Sequence, residues 1–223
     1  MADVIKTSSN VGSAKIALSM PRRYLWEIFS SVGFGATTKL DFPGESSGML
    51  HPHRNWRQIE HATMSYGYGV SVSLLQLARA YTIFATEGRL LPLTLLTRDG
   101  HNPVGESVIS AATANTLRLV LERVTQHGGT ATKARVAGYR VAGKTGTTRK
   151  IVRGSYTKKY VASFVGFAPV TNPRLIIAIA VDEPKLKNSY GGGDVAAPVF
   201  SETMAGALRI LNVRHDDFDG EKI

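Results

Sequence analysis

The chain has 223 residues, 43% hydrophobic and 20% charged, enough to bury a substantial core in one domain or part of one. A net charge of +10 raises nucleic acid as a partner, but the Lys and Arg residues are spread along the chain and no RNA-binding aromatic motif or zinc-finger spacing occurs. Nucleic acid is therefore set aside in favour of an anionic polymer or lipid surface. The absence of cysteine excludes disulfides and thiolate metal sites. The apolar run over residues 175–181 is too short to span a bilayer, and residues 1–30 show no signal-peptide pattern.

In chain order, residues 11–20 read as a helix capped by Ser9 or Asn10 and ended by Pro21. A second helix is expected over 24–32, stopped at Gly33. Residues 36–70 read as loop, with Pro43-Gly44 and Ser46-Ser47-Gly48 as turn signals. Ser73 caps a helix running to about Ala85, and Leu93 to Thr97 reads as a short strand. Ser110 caps a helix to about Thr125, closed by Gly128-Gly129. The period then changes from helical to alternating. Residues 140–150, 160–168 and 174–181 predict an antiparallel meander turning at Val152-Arg153-Gly154 and Thr171-Asn172-Pro173. A closing helix is expected over 197–211, with Pro198 in its first turn and Phe200, Met204, Leu208 and Leu211 covering the sheet. The division expected is residues 1–213 as folded chain and 214–223 as a polar, frayed tail.

Within the first strand of the meander stands Lys144-Thr145-Gly146-Thr147. Period-two alternation puts Thr145 and Thr147 on one face. A Gly inside a strand weakens it unless another backbone comes close. Two hydroxyls and a cation beside a bare stretch of backbone suit a carboxylate that docks along the strand edge. By itself the tripeptide reads more readily as a structural turn. Far upstream, Ser8-Ser9-Asn10 opens the first helix, and alone it reads as a plain cap.

Together these motifs match the order Ser-x-Asn then Lys-Thr-Gly of the serine acyl-transferases that recognise penicillin. Further stretches extend the match: Ser65-Tyr66-Gly67-Tyr68-Gly69-Val70, Leu75-Gln76-Leu77-Ala78-Arg79, Val165-Gly166-Phe167-Ala168-Pro169, Asp182-Glu183-Pro184, and Tyr190-Gly191-Gly192 leading to Ala197-Pro198-Val199-Phe200. The chain resembles the transpeptidase domain of class B penicillin-binding proteins, and within them the septal D,D-transpeptidases. The resemblance implies an α+β fold, an antiparallel sheet packed with helices. It implies a periplasm-facing enzyme anchored in the inner membrane through a segment not in this chain, with no cofactor. Peptidoglycan stem peptides, β-lactam antibiotics and cell-division proteins are its implied partners.

The roles it implies are as follows. Thr145 and Thr147 hold the substrate carboxylate, and the strand at Gly146 pairs with the substrate backbone. The Thr147 N–H is one oxyanion donor. Ser8, tied to Lys144, relays a proton, and Asn10 orients the substrate amide. Tyr160 and Tyr190 form an aromatic wall, and Arg149 a cation at the rim. Tyr66 and Tyr68 read as packing, Asp182-Glu183 as strand-end solvation, Gly191-Gly192-Gly193 as a flexible loop, and His51-Pro52-His53 as a loose pair without metal-ligand spacing.

The family's nucleophile sits in a Ser-x-x-Lys motif that should precede Ser8. The pattern occurs once, at Ser155-Tyr156-Thr157-Lys158, after Lys-Thr-Gly and in a hairpin, where no helical turn can join serine to base. The expectation is therefore the C-terminal part of a transpeptidase domain, inactive without the missing N-terminal part of the same protein. A serine β-lactamase-like hydrolase and a non-catalytic divisome scaffold of the same fold remain open alternatives.

Overall fold

A computed structural model describes residues 1–40, 42–97, 103–185 and 189–217. Helices combine with antiparallel sheets, an α+β architecture. The chain divides into two compact units, one of Met1–Ile5 with Ser9–Ala114, the other of Lys6–Ser8 with Asn115–Ile223.

The first unit carries α1 (Ala2–Lys6, its last residue excepted), α2 (Asn10–Leu18), α3 (Arg22–Ser31), β1 (Met49–Leu50), α4 (Gln58–Met64), β2 (Val70–Ser71), α5 (Leu74–Ala80), α6 (Thr82–Ala85), β3 (Arg89–Leu90) and β4 (Glu106–Ser107). Ser9 starts α2, its hydroxyl accepting the Gly12 N–H at 3.1 Å. Ser73 and Gln76 cap α5 reciprocally, at 3.1 and 2.8 Å. The Gln76 amide is buried and donates to Ala36 O (2.7 Å) and Ser47 O (2.9 Å), which orders the loop-rich stretch. That stretch also holds α4, which begins without a Ser, Thr, Asp or Asn cap and so carries no start signal. Instead Glu60 reaches back to the Arg57 N–H.

The helix expected over 73–85 is broken at Tyr81, because the Thr82 hydroxyl donates to Arg79 O (2.7 Å) and accepts the Leu91 N–H (3.0 Å). The strand expected over 93–97 is not formed; pairing occurs earlier, Leu90 opposite Glu106. Val32, Ala80, Ile83 and Leu90 form a core here, with Phe34, Phe84, Val108 and Ile109 against it.

The helix α7 (Ala111–Glu122) begins in the first unit and continues into the second. The second unit is built on β5 (Ala142–Val152), β6 (Ser155–Ala168) and β7 (Leu175–Asp182), an antiparallel meander in the order β5-β6-β7, with α8 (Gly192–Ile210) packed on it. The first hairpin is longer than the sequence predicts. Arg153 (φ 50°) and Gly154 (φ 78°) make a two-residue turn with both residues left-handed, and its twist lets the strands pair up to Val152 and Ser155.

Phe200, Met204 and Leu208 of α8 are fully buried, and Phe200 meets Phe164 of β6 edge-on at 4.8 Å. Leu211 is exposed instead, because it is the C-cap and lies past the buried stripe. The helix starts five residues before the expected position, and Pro198 lies inside it. Gly192 and Gly193 read as loop because glycine is a poor helix former. They belong to the helix because backbone approaches them: a Cβ at 192 would overlap Ser163 O and lie 2.6 Å from Gly146 O, and one at 193 would overlap Thr130 O. Gly206, further along α8, meets nothing within 4 Å. Gly206→Ala is therefore expected to stabilise the chain by about 0.5–1 kcal/mol, the gain of Ala over Gly in a helix interior. Urea unfolding measures it, and a lowered midpoint contradicts it.

The expected fraying past residue 213 is not found over the described part of the tail. The Tyr139 hydroxyl donates to Val213 O (2.6 Å), and the Asp216 carboxylate accepts from Arg140 N (2.8 Å) and the Thr171 hydroxyl (2.9 Å). These bonds tie the tail to the segment that feeds β5 and to the connection between β6 and β7. Residues 218–223 lie outside the described residues.

Candidate active site

Strand β5 is a sheet edge, with β6 its only strand partner among the described residues. Gly146 faces Ser163 in register, and a Cβ there would overlap the Ser163 hydroxyl. The glycine is thus required by cross-strand packing on the face opposite Thr145 and Thr147, in addition to leaving the strand narrow.

Lys144 is partly buried, and burial pulls its pKa from the usual lysine value down to about 8. Its Nζ donates to Ser8 Oγ at 2.7 Å and to Thr145 O and Oγ1 at 3.2 Å. Ser8 is exposed and held at φ 56°, a left-handed conformation uncommon for serine. The pair joins residues 136 positions apart within the second unit. Asn10 opens α2 and belongs to the first unit.

On the threonine face, the Gly192 N–H donates to Thr147 Oγ1 at 3.1 Å. That bond leaves the Thr147 hydroxyl proton available to a ligand. It also places the N-terminus of a 19-residue helix beside Thr147, where the helix dipole favours an anion. Thr145 Oγ1 lies 3.0 Å from Thr130 Oγ1. The residues before α8 are pinned on two sides. Asp194 accepts from Lys133 Nζ (2.6 Å) and Ser189 Oγ (2.7 Å), which lowers its pKa. Tyr190 stacks on Tyr160 with ring centroids 3.9 Å apart and planes 15° from parallel.

The structure thus brings together Ser8, Lys144, Thr145, Thr147, Tyr160 and Tyr190 in one unit. Arg149, two residues past Thr147 on β5, donates its Nε–H to Thr157 O at 3.1 Å and its guanidinium lies 5.6 Å from the Tyr156 ring centroid, so its charge is engaged within the hairpin. Asp182 and Glu183 do more than solvate a strand end. Lys150 pairs with both at 2.9 Å, and Lys159 with Glu183 at 2.9 Å, which lowers the Glu183 pKa and raises that of Lys150. Tyr66 and Tyr68 meet edge to face at 6.0 Å, as packing residues do. Ser155 and Lys158 lie on β6 beside the Arg153-Gly154 turn, where the pairing shifts register between Tyr156 and Tyr160, so no helical turn joins them.

Sequence reasoning missed Thr130 and the Gly192 N–H. Thr130 follows Gly128-Gly129, which signals only a helix stop; its partner is 15 residues away and no local pattern announces it. The triple glycine was the visible trace of the second.

A lysine made easy to deprotonate, a serine beside it, and hydroxyls with a helix N-terminus along an open strand edge define an α+β protein equipped to hold a carboxylate and move a proton next to it. A family model described as the penicillin binding protein transpeptidase domain matches residues 1–205. The chain is 45% identical over 211 residues to a protein of Neisseria flavescens named probable peptidoglycan D,D-transpeptidase PenA, covering 94% of this chain and 52% of that one. It is 40% identical over 217 residues to peptidoglycan D,D-transpeptidase FtsI of Escherichia coli (strain K12), covering 97% of this chain and 37% of that one. The apo structure of the TP domain from Burkholderia pseudomallei penicillin-binding protein 3 superposes with a TM-score of 0.90 at 49% identity, covering 96% of this chain and 65% of that one. The chain belongs to the penicillin-binding protein transpeptidase family, as part of a class B transpeptidase domain. It spans about half the length, or less, of these two named relatives.

Proposed function

We propose that the chain is part of a peptidoglycan D,D-transpeptidase of cell division, which cross-links stem peptides ending in D-Ala-D-Ala through a serine acyl-enzyme and is acylated by β-lactams. The observation that carries this reading is the 2.7 Å hydrogen bond from Lys144 to Ser8 beside the open edge of β5. Thr145 and Thr147 take the terminal carboxylate, and the α8 N-terminus adds to its attraction. The substrate backbone adds to β5 as a further strand, and the Thr147 N–H serves as one oxyanion donor. The attacking serine gives its hydroxyl proton to the lysine of its own Ser-x-x-Lys segment as its oxygen bonds to the carbonyl of the penultimate D-Ala. An amine of a second stem peptide later displaces the serine, which takes its proton back. The first leaving group is the terminal D-Ala, whose bond breaks as the acyl-enzyme forms. Its amine takes a proton through Ser8 from Lys144, whose lowered pKa keeps both protonation states populated near neutrality. Tyr160 and Tyr190 wall the site, Asn10 orients the substrate amide, and Arg149 adds its charge once released from the hairpin. The relatives named for D,D-transpeptidase activity support the reaction, and the likeness to FtsI supports the septal role. A location on the periplasmic face of the inner membrane, among cell-division proteins, goes with that role.

In this reading the nucleophile is supplied from outside residues 1–223, because Ser155 and Lys158 sit on a strand, where no helical turn brings serine and lysine together. Intact-mass spectrometry after incubation with a β-lactam is expected to show no adduct on the 223-residue chain. A polypeptide extended at its N-terminus by a Ser-x-x-Lys segment of the family is expected to gain one. An adduct on Ser155, or on any serine of this chain, would overturn the assignment; so would fast hydrolysis of the β-lactam by the extended polypeptide.

A further inference from the structure

Thr130 stands outside every motif of the family match, yet it holds the site from two directions. Its hydroxyl oxygen lies 3.0 Å from Thr145 Oγ1. Its carbonyl packs against Gly193 so closely that a Cβ there would overlap it, and the Thr145 methyl would lie 3.6 Å from that same Cβ. Thr130 is half-buried, wedged between β5 and the first turn of α8. Three residues on, Lys133 ties the same segment to Asp194.

The number of protons available decides what this contact does. A threonine hydroxyl has one proton to donate and two lone pairs to accept. Thr145 Oγ1 already receives Lys144 Nζ at 3.2 Å. Between Thr130 and Thr145 either oxygen can be the donor. If Thr145 donates to Thr130, it has no proton left for a ligand. If Thr130 donates, both lone pairs of Thr145 are filled, by Lys144 and Thr130, and its own proton must point outward. An arriving carboxylate accepts only, so it selects the second arrangement. Ser163, behind Gly146 on the other face, cannot supply this donor.

We propose that Thr130 is a positioning residue that turns the Thr145 hydroxyl proton toward the ligand carboxylate. It does so by donating its own proton to Thr145 Oγ1, and it touches no substrate itself. The proposal rests on the reading of Thr145 as a carboxylate ligand. It predicts a larger loss for ligands that carry the carboxylate, since the charged acceptor draws on that proton more strongly than an amide carbonyl does.

The test is titration of the 223-residue chain with diacetyl-Lys-D-Ala-D-Ala and with its C-terminal amide, followed by the backbone amide signals of Gly146 and Thr147. Wild type is expected to prefer the carboxylate form. Thr130→Val is expected to weaken binding of that form about tenfold and the amide form by about twofold or less, while Thr130→Ser stays within about twofold of wild type. If Val at position 130 unfolds the chain, Thr130→Ala carries the same comparison. Equal binding of the carboxylate peptide by Thr130→Val and wild type overturns the proposal. So does a loss shared equally by both peptides, which marks a structural role only. Absence of a carboxylate preference in wild type overturns the carboxylate site itself, and the role of Thr130 with it.

Discussion

Gly192→Ala is expected to destabilise the chain by about 3 kcal/mol or more, at the upper end of what overpacking a tight interior does. The added methyl would overlap the Ser163 carbonyl and lie 2.6 Å from Gly146 O and 3.2 Å from Gly146 N. All three are backbone atoms of paired strands, so no side chain can swing aside. Helix propensity works the other way by roughly 1 kcal/mol, and the overlap wins. At 2–4 °C per kcal/mol for a chain of this size, the melting temperature should fall by about 6–12 °C. The same shift would pull the Gly192 N–H from Thr147 and loosen the Tyr190–Tyr160 stack. Calorimetry measures the first effect and tyrosine fluorescence the second. Gly206→Ala in the same helix is the control, and an equal response at the two positions would remove the packing explanation.

Lys144→Met is expected to raise stability near neutral pH while disabling the site. Burial holds the folded pKa of Lys144 at about 8, below the ordinary 10.5. Between those values the folded chain binds fewer protons than the unfolded one, so this group makes stability rise as pH climbs from about 8 through 10.5. Below pH 8 the charged lysine carries the whole penalty, about 3 kcal/mol, which the hydrogen bonds to Ser8 and Thr145 oppose without cancelling. Replacing it with an apolar chain of similar length should gain about 1–3 kcal/mol at pH 7 and close to nothing at pH 10.5. Urea unfolding of both proteins at the two pH values decides it: an advantage of Met that fails to shrink at high pH would sink the idea. In a polypeptide that carries the nucleophile, the same change should slow β-lactam acylation by about 10²–10⁴. A residue kept at the expense of stability in this way is typical of a group retained for proton transfer.

The meander was legible because its signals are local. Alternation of Val, Ile, Phe and Thr marks β5, β6 and β7, and Arg153-Gly154 and Asn172-Pro173 mark their turns. Ser9, Ser73 and Ser110 announced their helices for the same reason: a cap acts within three residues. Errors fell where a distant partner decides. The start of α8 looked like a loop until Ser163 and Thr130 were seen pressing on its glycines. The tail looked free until Arg140 and Thr171 were found holding Asp216. The break at Tyr81 depends on a hydrogen bond between Thr82 and Leu91.

The same division runs through the site. Lys144, Thr145, Gly146 and Thr147 share one strand, so their alternation, and with it the threonine face, follows from the two-residue period of extended backbone. The order of Ser8-Ser9-Asn10 before them carried the family. What no stretch of sequence could state is that Ser8 lies 2.7 Å from Lys144, that burial brings this lysine to about 8, or that Thr130 and Gly192 aim the threonine hydroxyls. Those properties arise from desolvation and from contacts between residues up to 136 positions apart, and both exist only once the chain is packed.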